Sequence, residues 1–298
     1  MTNIVKFKRF KIEIKGEGSR IKGFTNLRED QIFLNNILTN NIINLSTFCF
    51  NYNLMLKPNG NPVEEFFVFN MGSYFLLDTD CHPKIIIDEF ERIKLSLKVY
   101  FRDVTENYEH YFLWGEDSRK LIKDIFGNVP EKGKFVINKE IIVANNYLRL
   151  REEGFDLIGK GVERFINLNE LKVISLEEFE DIRIKRKIPA IHKELKEGFS
   201  PLEADIESYA IDFNKGCYTG QEAIARVHYK GRLPRKLVLL RTVGTVREGD
   251  TIMLDEEKVG VVTSVSPLSP LALGYINRKI LEAKNMEFET PQGKLFLL

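Results

Sequence analysis

From residue 236 to its end the chain offers only strand-length apolar runs, at 236–243, 251–254, 259–264, 272–276, 286–288 and 295–298. Turn-forming stretches such as Asp255-Glu256-Glu257 and Thr290-Pro291-Gln292-Gly293 separate them. Short strands at such regular intervals predict a small antiparallel β-barrel. The change of texture at Leu233-Pro234 sets a boundary: residues 1–232 form one part, itself of two intertwined subdomains, and residues 233–298 the barrel.

Upstream the pattern alternates. Residues 4–14 read as a first strand. A helix follows, capped by Asn26 with Glu29 three residues on, its core stripe being Ile32, Phe33, Ile37 and Leu38. Strands at 48–56, 63–69 and 74–77 come next, then a helix opened by Pro83 with Ile86, Phe90, Ile93 and Leu97 on one face. A second hairpin (98–104 and 108–114) leads into a short helix at 118–126, closed by Gly127. Residues 135–143 and 147–151 continue the strand pattern. Residues 162–168, 175–186, 189–195 and 204–208 read as short, mainly helical pieces. Helices alternating with antiparallel hairpins define an α+β protein rather than a doubly wound parallel sheet.

The 298 residues exceed what one small core needs. A formal net charge of +1 argues against a general nucleic-acid binder, which carries a basic excess, while leaving room for a local basic cleft. Cys49, Cys81 and Cys217 are widely separated and form no C-x-x-C, so neither a zinc motif nor a disulfide framework is indicated. The N-terminal residues lack the apolar core of a signal peptide and the length of a membrane span. The expected location is the cytoplasm, with no membrane partner.

One stretch carries chemistry: Lys215-Gly216-Cys217-Tyr218-Thr219-Gly220-Gln221-Glu222, running on into Ala225-Arg226. Thr219 and Glu222 have the spacing of a capping box ahead of Ile224 and Val227, which places Cys217 just before a helix N-terminus. Lys215 adds a positive charge two residues away. Both effects favour the thiolate, and Gly216 and Gly220 permit a sharp turn or close approach to a ligand. The competing reading is that Cys217 is a small buried hydrophobe.

The octet resembles the K-G-C-[FY]-x-G-Q-E hallmark of the YgfZ-type branch of the folate-binding T-protein superfamily, and the following His228-Tyr229-Lys230-Gly231-Arg232 resembles that branch too. The resemblance implies a cloverleaf of three subdomains around a central folate pocket, the last of them a β-barrel. It implies that Glu65, in Gly60-Asn61-Pro62-Val63-Glu64-Glu65, stands where the family has a catalytic aspartate. The bland alternative is that Glu64 and Glu65 are a solvated pair at a strand start. Phe75 and Leu77, on one face of the next strand, would line an apolar slot or belong to the plain core. Arg232 would meet the folate glutamate tail through its planar fork.

The chain departs from the T-protein pattern in three places. The T-G-E of the family is missing around Arg149 to Asp156, the aspartate is Glu65, and Lys185 replaces a glutamate that accepts from pterin N–H groups. Lysine has no acceptor, and Glu203 is the nearby carboxylate that would stand in. The resemblance therefore implies a tetrahydrofolate-binding protein that supports iron–sulfur cluster assembly or repair, including iron–sulfur enzymes of tRNA modification, with iron–sulfur proteins or assembly factors as partners and no direct nucleic-acid binding. The alternative is a tetrahydrofolate-dependent aminomethyltransferase of glycine cleavage.

Overall fold

The computed structural model describes residues 2–167, 170–282 and 286–298. They divide into two compact units whose segments alternate along the sequence. Met1–Leu56, Glu64–Ser175 and Tyr209–Thr219 form the first; Lys57–Val63, Leu176–Ser208 and Gly220–Leu298 form the second.

In the first unit, the apolar run expected as one strand is two, β1 (Asn3–Phe7) and β2 (Phe10–Gly16). They enter different sheets. The break falls at Lys8-Arg9, where the Arg9 side chain turns inward to buried carboxylates. The helix α1 (Glu29–Ile37) begins at Glu29, and Gln31 rather than Glu29 closes its first turn by accepting from the Arg28 N–H (3.0 Å). The strands β3 (Phe50–Leu56), β4 (Pro62–Asn70), β5 (Phe75–Thr79) and β6 (Val99–Asp103) join β2 in a five-stranded sheet ordered β3-β4-β5-β2-β6. The helix α2 (Pro83–Ile93) carries Pro83 at its first position, as its sequence predicts.

The second sheet of this unit contains β7 (Glu109–Trp114), β8 (Phe135–Asn138), β9 (Ile141–Asn145), β10 (Gly154–Gly159) and β11 (Lys172–Val173), ordered β11-β1-β7-β10-β9-β8. The helix α3 (Ser118–Phe126), closed by Gly127 with φ at 78°, contributes Ile122 and Phe126 to a core shared with Leu113, Val143, Phe155 and Leu157. Residues 147–151 are not a strand. A 3-10 turn at Tyr147–Arg149 replaces it and directs Arg149 inward. The piece expected at 162–168 reduces to a 3-10 turn, Val162–Arg164; Leu168 lies outside the described residues.

The second unit holds α4 (Leu176–Lys185), α6 (Gln221–Lys230) and the barrel, the single-turn helix α5 (Glu207–Ala210) lying between those helices in sequence. The strands β12 (Arg235–Gly244), β13 (Thr251–Leu254), β14 (Glu257–Val265), β15 (Leu271–Asn277), β16 (Glu287–Thr290) and β17 (Gly293–Leu297) close in the order β12-β15-β14-β13-β16-β17. Val238, Leu240, Ile252, Val262, Ile276, Phe288 and Leu295 fill its interior. Residues 189–195 form a turn rather than a helix. His192 is left-handed at φ 63°, and the Ala190 carbonyl accepts from the backbone of Lys193, Glu194 and Leu195.

Candidate functional site

The Cys217 loop is stitched to the chain just beyond α1, far away in sequence. Asp212 N–H donates to Thr39 O (3.0 Å) and Thr219 N–H to Asn36 O (3.0 Å). Between them, the Lys215 ammonium donates to Leu38 O and Asn40 O, both at 2.6 Å. Thr39 Oγ1 donates to Ala210 O (2.6 Å) and Asn41 Nδ2 to Asp212 Oδ2 (3.1 Å). The Thr219 bond satisfies a carbonyl of the helix's last turn, and the others tie down the chain that follows it. Lys215 is 7% exposed and Tyr218 is buried, its ring centroid 4.9 Å from the ammonium, while Gly216 and Cys217 are exposed. The loop is thus fixed on both sides of an accessible thiol, so Cys217 is not a buried hydrophobe.

Two sequence expectations about this loop change. Burial pulls the Lys215 ammonium down to about 7, Asp212 opposing it, and its N–H groups are spent on two carbonyls; Lys215 anchors the loop rather than serving as a fixed positive charge beside the thiol. The capping box does not form either. Gly220, left-handed at φ 83°, occupies the N-cap, so α6 starts at Gln221 without a side-chain cap. A residue with a Cβ would be strained there. Thr219 stays exposed, and Glu222, its side chain 92% exposed, makes only a loose pair with Arg226 at 3.7 Å.

Glu65 belongs to a buried ionic cluster that the sequence reading missed. Glu64 and Glu65 are both buried, not solvated, in a strand flanked on either side by β3 and β5. Glu65 Oε1 accepts from Arg9 Nη1 (3.0 Å) and Oε2 from the Tyr52 hydroxyl (2.8 Å). Arg9 Nε also donates to Asp78 Oδ2 (2.8 Å), which accepts from Arg149 Nη2 (2.7 Å). Asp78 Oδ1 accepts from Lys11 Nζ (2.8 Å), and Arg149 Nε donates to Asp156 Oδ1 (3.0 Å). Lys11 Nζ lies 3.3 Å from His110 Nδ1, and His110 Nε2 lies 2.9 Å from Asp156 Oδ1; with Lys11 as the ammonium, Nδ1 accepts and the Nε2 proton points at Asp156. Arg9, Lys11 and Arg149 pair with the buried Glu65, Asp78 and Asp156, and the exposed Asp80 adds a fourth carboxylate 3.1 Å from Arg9, so that the buried charges are compensated, the condition under which they are tolerated. The legible signal is a charged residue in an otherwise apolar strand run: Lys11 and Asp156 each lie between two apolar residues, and Asp78 follows Phe75-Leu76-Leu77.

Burial pushes the Asp78 carboxyl up, but Arg9, Lys11 and Arg149 outweigh it and hold it well below the usual carboxylate range. Burial likewise opposes, and Arg149 overcomes, a shift that brings Asp156 down to about 2. Depressed carboxylates contribute stability above their unfolded value, near 4, and lose it as pH falls through the folded one. Fluorescence of Trp114, the single tryptophan, is therefore expected to stay constant on acidification to about pH 4 and to change between there and about pH 2. A transition centred above pH 5 would contradict this assignment.

The remaining predicted positions divide. Phe75 and Leu77 are fully buried, and Phe75 lies under the Arg28 guanidinium at 5.3 Å, so they are core rather than an open slot. Glu203, the carboxylate expected to stand in as pterin acceptor, already has partners. One oxygen accepts from Arg235 Nε (2.9 Å), the other from Arg235 Nη2 (3.1 Å) and Ser200 N–H (2.9 Å). Lys185 is held by Asp181 at 2.6 Å. Arg232 is exposed and lines a cleft of about 880 Å³ within the second unit. Gly231 makes this possible: a Cβ there would sit 2.8 Å from Val227 O, so only glycine lets the chain leave α6 so tightly. Among the described residues no group of His, Cys, Asp and Glu is arranged to hold a metal, and no helix is long and apolar enough to cross a membrane.

The whole fold has a solved counterpart. The glycine cleavage system aminomethyltransferase T from Bartonella henselae superimposes with a TM-score of 0.79 at 15% identity, over 99% of this chain and 84% of that one. No family model matches the chain. Among curated relatives, an aminomethyltransferase of Thermoanaerobacter pseudethanolicus is 23% identical over 86% of this chain and 74% of its own. The tRNA-modifying protein YgfZ of Hamiltonella defensa is 28% identical over 56% of this chain and 53% of its own. A mitochondrial iron–sulfur cluster assembly factor homolog of Dictyostelium discoideum is 24% identical over 78% of this chain and 53% of its own. A mixed α/β chain ending in a closed six-stranded antiparallel barrel defines a protein of the T-protein fold. With its K-G-C-Y-T-G-Q-E octet intact, the chain is similar in sequence to the YgfZ-type branch of the T-protein superfamily.

Proposed function

We propose that the chain is a reduced-folate-binding accessory protein that supports assembly or repair of iron–sulfur clusters, including those of tRNA-modifying enzymes, and presents the Cys217 thiol to its clients. The observation that carries this reading is the loop itself: an exposed Cys217 between a buried Lys215 and a buried Tyr218, fastened to residues 36–41. Such fixation suits a thiol that must meet a partner in one geometry. The YgfZ and assembly-factor relatives carry names that agree. The unpaired cysteines fit a cytoplasmic location.

The residues fit a folate at its tail better than at its pterin. Arg232 is open in its cleft, whereas Lys185 and Glu203, at or near the pterin acceptor position, are an ion-paired cation and a carboxylate already in use. A reduced folate, when bound, carries a one-carbon unit on its ring nitrogens. We assign tetrahydrofolate as the ligand, bound more weakly than in relatives that keep the glutamate.

Aminomethyl transfer is the second reading, favoured by the fold and the Thermoanaerobacter relative. Against it stands Glu65, whose two oxygens are held by Arg9 and Tyr52. A displacement of about 1 Å in a reacting group costs on the order of a hundredfold in rate. Reconstituted glycine cleavage with this chain in the transferase position is expected to turn over at least about a hundredfold more slowly than with a true aminomethyltransferase. Comparable turnover would make the transferase reading the correct one.

A further inference from the structure

The chain leaving α1 forms a seam between two distant segments of the first unit, β3 and the stretch 209–219 that carries Cys217. Thr39 Oγ1 accepts from Leu54 N–H (2.9 Å) and donates to Ala210 O (2.6 Å). Asn40 Nδ2 donates to Tyr52 O (3.2 Å) and to Tyr209 O (2.9 Å). Each of these consecutive side chains thus holds one backbone group of β3 and one of the Cys217 segment. The same seam reaches Glu65, because Tyr52 gives its hydroxyl proton to Glu65 Oε2 (2.8 Å) and meets the Tyr209 ring edge-on, the centroids 5.8 Å apart.

Every polar group of Asn40 is engaged. Its N–H donates to Asn53 Oδ1 (2.8 Å), its Oδ1 accepts from Asn41 N–H (2.9 Å), and its carbonyl accepts from the Lys215 ammonium (2.6 Å). Two carbonyls face Nδ2 and an N–H faces Oδ1, so the neighbours fix which way the amide points. An aspartate here would keep the Asn41 bond but set oxygen lone pairs against the carbonyls of Tyr52 and Tyr209. Thr39 is used for its hydroxyl, which accepts on one side and donates on the other. A valine would keep its shape and lose both bonds, whereas a serine would keep them.

We propose that Thr39 and Asn40 are the positioning residues of the Cys217 segment: they set it against the strand whose Tyr52 holds Glu65, so that the thiol keeps one place relative to that carboxylate when a client meets it. They act on Cys217 through the backbone of its segment, at Tyr209, Ala210 and Lys215. The inference rests on the reading of Cys217 as a presented thiol and names the residues that fix its geometry.

Hydrogen exchange of the full chain, thiol alkylation and complementation of a deletion strain, run on the same variants, form the test. Asn40→Asp and Thr39→Val are expected to speed exchange at the Asp212 and Thr219 amides, which donate to Thr39 O and Asn36 O, at least about tenfold, with the barrel amides unchanged. Iodoacetamide should still alkylate Cys217 within about twofold of the wild-type rate, since the thiol stays exposed. Iron–sulfur dehydratase activity in the complemented strain should nevertheless fall at least about tenfold at equal protein level, the cost of a misplaced group. Thr39→Ser should match the wild type in each measurement. Should Asn40→Asp fail to accumulate, the Thr39→Val and Thr39→Ser pair decides alone. Unchanged exchange at Asp212 and Thr219, exchange that rises equally in every element, or full rescue by Asn40→Asp or Thr39→Val overturns the inference and leaves the reading of Cys217 standing. Full rescue by Cys217→Ser overturns the presented thiol, and this inference with it.

Discussion

Replacement of Asp78 by alanine is expected to lower the unfolding free energy by about 3–5 kcal/mol, the cost of breaking a buried ion pair from one side. Asp78 is fully buried and accepts from three separate cations, Arg9, Lys11 and Arg149. Its removal leaves Arg9, Lys11 and Arg149 without the one carboxylate they share, in a largely buried site. The loss is a large share of a total stability of about 5–15 kcal/mol. At about 2–4 °C per kcal/mol it moves the melting temperature by on the order of 10 °C. Asp78→Asn, which keeps the shape and removes the charge, should fall in the same direction. The exposed Arg92–Glu89 pair is the control: Arg92→Ala should cost less than about 1 kcal/mol. Thermal melts that place Asp78→Ala and Arg92→Ala together would refute the ionic cluster as a structural anchor.

Cys217 is expected to be the first thiol alkylated in the folded protein, with the others far behind. It is exposed, while Cys49 and Cys81 are half-buried. Burial, reinforced by Glu64, pushes the Cys81 thiol up to about 11 from 9.0. A shift of that size leaves it about a hundredfold less thiolate near neutral pH, and the thiolate is the nucleophile. Iodoacetamide labelling followed by mass spectrometry of the modified peptide separates the three. Cys217→Ser should abolish the fast phase and, at an exposed position, change stability by no more than about 0.5 kcal/mol. Fast labelling at Cys81, or labelling of Cys217 only after denaturation, would remove the basis for a presented thiol.

The features legible in the sequence are those written in contiguous residues. Pro83 and Gly127 mark helix ends through local backbone preference, and the barrel strands announce themselves between turns. The Cys217 octet is linear and could be read whole. The cluster around Asp78 could not, because Arg9, Asp78, His110, Arg149 and Asp156 come from segments scattered between residues 9 and 156, and only the fold brings them together. For the same reason the sequence does not show what Lys215 does. Its sequence neighbour is Cys217, but its spatial partners are the carbonyls of Leu38 and Asn40. At Thr219 the spacing of a capping box was present, yet the left-handed turn at Gly220 took the cap position first. Local grammar locates a loop; the fold decides what its side chains do.

The most direct test of the account is a deletion strain complemented with the wild-type chain or with Cys217→Ser, in which the activities of an iron–sulfur dehydratase and of glycine cleavage are measured in parallel. The expected result is a fall in dehydratase activity on deletion, restored by the wild-type chain and not by Cys217→Ser at equal protein level, with glycine cleavage unchanged throughout. Loss of glycine cleavage with intact iron–sulfur activity, or full rescue by Cys217→Ser, would contradict it.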